Sequence, residues 1–161
     1  MRIVITGFMG SGKTRVAREL ARRLNVEMAD LDERITERKG RSPAQLINDE
    51  GEEAFRVIES DVLRELLAKD SARVIALGGG AWIQEVNRKL IDQHGCVSVW
   101  LDVPFEVCWA RIKTSDEDRP LGRTKEQAQK LYEQRAPIYK LATLRVGNDN
   151  LEELINELDT D

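Results

Sequence analysis

Gly7-Phe8-Met9-Gly10-Ser11-Gly12-Lys13-Thr14 matches G-x-x-x-x-G-K-[ST] at every fixed position, and its flanks decide how to read it. A short apolar run, Ile3-Val4-Ile5, precedes it, and Val16, Ala17, Leu20, Ala21 and Leu24 follow at the spacing of one helix face. The order is therefore strand, glycine loop, helix. Glycines at 7, 10 and 12 permit a tight turn that aims the backbone N–H groups around Gly10, Ser11, Gly12, Lys13 and Thr14 into one hollow. The start of the helix adds partial positive charge there. Such a hollow suits the phosphates of a nucleotide, with Lys13 reaching the outer phosphates and the Thr14 hydroxyl ligating magnesium. ATP and Mg2+ are the expected cofactors.

Outward from this loop, apolar runs alternate with helical patterns. Strands are expected at Ile3–Thr6, Val26–Ala29, Val74–Leu77, Val97–Leu101 and Leu144–Val146. Five strands in βα alternation imply an α/β fold in three layers, a five-stranded parallel sheet flanked by helices. Phe55, Ile58, Val62, Leu63, Leu66 and Leu67 give the segment 55–67 one apolar helix face. Between Lys113 and Thr124 apolar residues nearly vanish, and Pro120 and Gly122 deny the run a regular helix, so a mobile lid is expected at about 113–124. No repeat or linker divides the chain, and residues 1–161 are read as a single domain.

Composition narrows the partners. With 41% hydrophobic and 34% charged residues the chain is globular rather than disordered. Its net charge of −4 argues against nucleic acid, so a small anionic ligand must be held by a few placed cations. Cys96 and Cys108 lack metal-ligand spacing and lie among apolar residues, as buried free thiols do. No apolar run approaches the roughly 20 residues of a membrane span, and the opening residues have no signal-peptide layout. A cytoplasmic protein with no membrane partner is expected, and a monomer.

Ligands in parallel α/β folds bind beyond the carboxyl ends of the strands. There the second strand runs into Asp30-Leu31-Asp32, two carboxylates able to hold a magnesium-bound water and to accept a proton from a hydroxyl. Either one could instead cap the helix that follows. The third strand runs into Gly78-Gly79-Gly80, and three successive glycines cost enough backbone entropy to imply close approach of the chain to a ligand.

The set Gly7–Thr14, Asp30-x-Asp32, Gly51-Glu52 with Phe55-Arg56 and Glu59, Gly78-Gly79-Gly80, Arg119-Pro120-Leu121 and Arg135-x-Pro137-x-Tyr139 resembles the shikimate kinases along nearly the whole chain. The resemblance implies transfer of the γ-phosphoryl group of ATP to the 3-hydroxyl of shikimate, in the route to chorismate and the aromatic amino acids. Asp32 would hold the shikimate hydroxyls, and Asp30, with Thr14, would sit near magnesium through water. Arg56 and Arg135 would grip the carboxylate, a task suited to planar forks. Gly78, Gly79 and Gly80 would face the substrate ring. Arg119 would come from the lid and act with Lys13 on the transferred group. Arg111 would flank adenine, with a second adenine contact near Asn148, and Glu59 would orient Arg56.

Plainer roles stay open for single residues: Arg56 as an ion-pair partner of Glu52 or Glu59 on one helix, Arg119 as a loop cation. Another small-molecule kinase, for gluconate or a nucleoside monophosphate, would share the loop and the lid arginine without needing Asp32, Arg56 and Arg135 together. A non-catalytic nucleotide-binding module is the alternative of another class. The chain also departs from the family pattern. Gly122 stands where a second leucine is usual, which would loosen the lid, and Trp82 follows the glycine triplet where smaller residues are common.

Overall fold

The run Ile3–Gly7 has no polar face, and it becomes β1, buried at all five positions in the middle of the sheet. A computed structural model describes residues 1–147 and 150–159. In chain order its elements are β1, α1 (Lys13–Leu24), β2 (Glu27–Asp30), α2 (Leu31–Lys39), α3 (Pro43–Glu50), α4 (Glu52–Ala68) and β3 (Ala72–Ala76). There follow α5 (Glu85–Gln93), β4 (Val97–Leu101), α6 (Phe105–Lys113), α7 (Lys125–Tyr139), β5 (Leu144–Val146) and α8 (Leu151–Asp159). The sheet order is β2-β3-β1-β4-β5 and every pairing is parallel. All five expected strands form, displaced by a residue or two at β2 and β3.

This topology makes the site. From β1 the chain crosses to one edge of the sheet and from β4 to the other, so the loops diverge at the carboxyl ends of the central strands and leave a crevice. The phosphate loop sits there. Its Phe8 turns inward, 2% exposed, edge-on to Tyr132 with ring centroids 5.2 Å apart. Burying that ring contributes roughly 1.5–3 kcal/mol, which offsets much of the conformational entropy lost by the glycines around it.

Local signals set the helices around the crevice. Ser42-Pro43 opens α3 with a capping box, Ser42 accepting from the Gln45 N–H and the Gln45 side chain accepting from the Ser42 N–H. Thr124 and Gln127 do the same for α7. The run between α6 and α7 contains no helix or strand, as its composition predicts. Both cysteines are buried free thiols. Trp82 does not enter the site: it is 2% exposed and its indole N–H donates to the Ile138 carbonyl at 2.9 Å, tying the segment after the glycines to the last turn of α7. No helix among the described residues is long and apolar enough to cross a membrane.

Candidate active site

At the end of β1 the backbone turns through Gly10 (φ 75°) and Gly12 (φ 92°), left-handed conformations in which a β-carbon is strained. A Cβ on Gly10 would also stand 2.8 Å from the Cys108 carbonyl oxygen. The loop delivers α1 with Gly12 at its N-cap, no capping side chain and no acidic residue in the first turn, so its first N–H groups face the crevice without a competing anion. Ser11 behaves differently. Its N–H closes a turn onto the Phe8 carbonyl at 3.1 Å and its side chain is buried beneath the loop.

Lys13 folds over the loop and donates to the carbonyls of Gly7 (2.9 Å) and Phe8 (2.8 Å). Burial lowers its ammonium to about 8, with Asp32 pulling upward and the guanidiniums of Arg135 and Arg119 pushing further down. The Thr14 hydroxyl donates to Asp30 Oδ2 at 2.6 Å. Asp30 Oδ1 accepts from the Glu33 N–H, so Asp30 is the residue that caps α2. Asp32, in the first turn of that helix, is thereby free of capping duty. Its carboxylate is enclosed against Gly78 although the residue as a whole is half-buried, and enclosure, reinforced by Glu59 and Asp30, pushes it up to about 7 against the pull of Lys13.

The three glycines are spacers for three side chains. A Cβ on Gly78 would stand 2.5 Å from Asp32 Oδ1, one on Gly79 would stand 3.4 Å from Arg135 Nη1, and one on Gly80 would stand 2.8 Å from Arg56 Cζ. The segment is pinned from outside the site: Tyr139 donates to the Gly79 carbonyl at 2.6 Å, and Asn87, itself bonded to Ser60, donates to the Ala81 carbonyl at 2.9 Å. Burial pushes the Tyr139 hydroxyl up to about 12, so it stays a donor.

Arg56 pairs along its own helix with Glu59 (2.9 Å) and Glu52 (3.4 Å), so the ion-pair role and the site position are both real. Glu59 is 1% exposed, and burial raises its carboxyl against the opposing pull of Arg56. Arg135 is 6% exposed on α7. Arg119 pairs with Glu117 at 2.9 Å. Four buried side-chain groups have no hydrogen-bond partner among the described residues: the hydroxyls of Thr6 and Ser11, and two donors of guanidiniums that line the cleft, Arg56 Nε and Arg119 Nη1. Such groups are costly unless something bound accepts from them.

Two clefts meet here. One is walled by Pro43, Ala44, Ile47 and Phe55 and ringed by Asp32, Arg56, Arg119 and Arg135, an apolar wall with a few convergent polar groups, as small-molecule sites have. The other runs over the phosphate loop along Gly10, Gly12, Lys13, Thr14 and Asp30. Asp32, Gly78, Gly79, Arg119, Met9 and Glu117 line both. Arg111 lines neither; it donates to the Gly10 carbonyl at 3.0 Å from the outer side of the loop. Asn148 lies outside the described residues. Met9, Glu117 and the apolar wall from α3 carry no signal by residue type, Tyr139 enters the sequence reading only as the end of the Arg135-x-Pro137-x-Tyr139 motif, and the S-P-x-Q start of α3 is the local mark of that helix.

The model of the family described as Shikimate kinase matches residues 9–158. The chain belongs to the shikimate kinase family. A shikimate kinase from Aquifex aeolicus is 38% identical over 98% of this chain and 94% of its own, and one from Ruegeria pomeroyi is 39% identical over 97% and 82%. Among solved structures, the shikimate kinase from Acinetobacter baumannii in complex with shikimate superposes with a TM-score of 0.86 at 32% identity, covering 99% of this chain and 90% of that one. Like other members of the shikimate kinase family, the chain is an ATP-dependent kinase, built on a parallel sheet flanked by helices.

Proposed function

We propose that the chain transfers the γ-phosphoryl group of ATP to the 3-hydroxyl of shikimate, giving shikimate 3-phosphate and ADP. The observation that carries this reading is the polarity of the joined clefts. Two guanidiniums, Arg56 and Arg135, stand on the acceptor side, and Asp32 stands where that cleft opens onto Lys13 and the phosphate loop. A ring with a carboxylate at one end and hydroxyls at the other fits that polarity.

Asp32 holds the reacting hydroxyl and takes its proton as the oxygen bonds to the γ-phosphorus and the bridging bond to ADP breaks. Lys13 and Arg119 stabilise charge on the transferred group, and Gly78, Gly79 and Gly80 give the ring a flat backbone floor. Gly10, Gly12 and the start of α1 hold the phosphates, with the turn at Ser11 shaping the loop. Arg111 braces that loop at Gly10, and the family resemblance gives it the contact with adenine. Magnesium fits the donor set: one hydroxyl (Thr14) and one carboxylate (Asp30) lie together, no cluster of three His, Cys, Asp or Glu forms a protein cage among the described residues, and Mg2+ characteristically takes few protein ligands plus phosphate oxygens. When bound it neutralises phosphate charge. The segment 114–124 is the lid that brings Arg119 inward.

The test is ADP release measured with shikimate, gluconate and nucleoside monophosphates as acceptors. Turnover with shikimate and background rates with the others is expected; faster turnover of another acceptor overturns the assignment.

A further inference from the structure

The geometry points to Asn48 as a positioning residue of the reaction: its side-chain amide clasps both stems of the turn that carries Arg119 and ties the lid to the acceptor-side helix. The Arg119 turn is closed by the Gly122 N–H donating to the Arg119 carbonyl at 2.9 Å. Asp118 and Arg123 are the residues immediately before and after it, and they pair with each other, Arg123 Nε donating to Asp118 Oδ1 at 3.1 Å. Asn48 joins both. Its Nδ2 donates to Asp118 Oδ2 at 3.1 Å and its Oδ1 accepts from Arg123 Nη2 at 2.9 Å. An amide suits this task because it presents one donor and one acceptor from a single short side chain.

Asn48 lies 70 and 75 residues from these partners in sequence, and among the described residues every hydrogen bond that leaves the lid for a distant element ends on it. The helix that carries it, α3, is also the wall of the acceptor cleft through Pro43, Ala44 and Ile47, and it packs on α4, which carries Arg56. One exposed amide thus links the surface that touches the acceptor to the loop that delivers Arg119. Anything that shifts α3 shifts the lid, and by reciprocity lid closure bears on acceptor affinity.

The inference rests on the proposed function, and the experiment separates the two. In the full chain, Asn48→Ala should lower kcat/KM for shikimate about two- to tenfold, the size of exposed charge-assisted hydrogen bonds. It should speed amide hydrogen exchange across 114–124 in the protein without substrates and leave Tm unchanged. Swapping the partners, Asn48→Asp together with Asp118→Asn, keeps one donor and one acceptor across the gap and should recover most of the loss. Unchanged exchange and rate in Asn48→Ala, or a swap that recovers nothing, overturns the clasp. A wild type that does not phosphorylate shikimate overturns the function instead.

Discussion

The guanidinium of Arg56 lies against Gly80, its Cζ 2.8 Å from the point where a β-carbon on that glycine would stand. A methyl group there displaces the far end of a flexible side chain, which costs the fold little and the acceptor site much. Gly80→Ala should therefore keep a Tm within a few degrees of wild type while raising KM for shikimate about tenfold or more, the loss of one charge-assisted contact of roughly 1.5–3 kcal/mol. KM for ATP should stay near its original value. Steady-state kinetics beside a thermal melt measure both.

Asp32 sets the acid limb of the pH profile. With its carboxyl at about 7, kcat/KM should fall as pH drops below that value, because the protonated form cannot accept the hydroxyl proton. Above about 8 the loss of charge on Lys13 gives the opposite limb. Asp32→Asn should cost at least about 100-fold in kcat.

The same group makes a stability prediction. The folded pKa of about 7 lies above the ordinary aspartate value of 3.8, so between about 4 and 7 the folded state holds a proton that the unfolded state releases, and stability falls as pH rises through that window. Asp32→Asn removes this penalty. The variant should melt higher than wild type at pH 8 and show no such gain at pH 4, a comparison that differential scanning measures directly.

Lys13→Ala removes charge from the transition state more than it removes packing. A loss of about 100- to 1,000-fold in kcat with a near-wild-type melting curve is expected, on the scale of one electrostatic contact to a developing charge.

How much of this could be read from residues alone depended on how local the cause was. The phosphate loop, the five strands and the starts of α3 and α7 follow from short-range chemistry: glycine conformations, short apolar runs buried on both faces of the sheet, and capping boxes. The division of labour between Asp30 and Asp32 did not, because both sit within reach of the same helix start and only the fold puts Gly78 against one of them. The space beside Gly122 is not marked locally either: a β-carbon there would meet the Met9 methyl at 2.8 Å, so the side chain from the phosphate loop fills it. The ties from Tyr139 to Gly79 and from Trp82 to Ile138 span about 60 residues of sequence, and nothing local records them.

The lid carries its own prediction. Residues 114–124 hold only one buried position, Gly122, and closure over substrates would exclude water from the γ-phosphate. Amide exchange across this segment should slow markedly when ATP and shikimate are both present. Equal protection with and without them contradicts closure.

The central claim is that Arg135, with Arg56, chooses the acceptor by its carboxylate. The direct measurement is kcat/KM of wild type and Arg135→Ala with shikimate and with the analogue that lacks the carboxylate. The account predicts a loss of about one to two decades for shikimate on Arg135→Ala, following from roughly 1.5–3 kcal/mol at 1.4 kcal/mol per decade, and little further loss for the analogue, already a poor substrate. Equal losses for both compounds would make Arg135 a support for the Gly79 segment or the nucleotide, and would contradict the account.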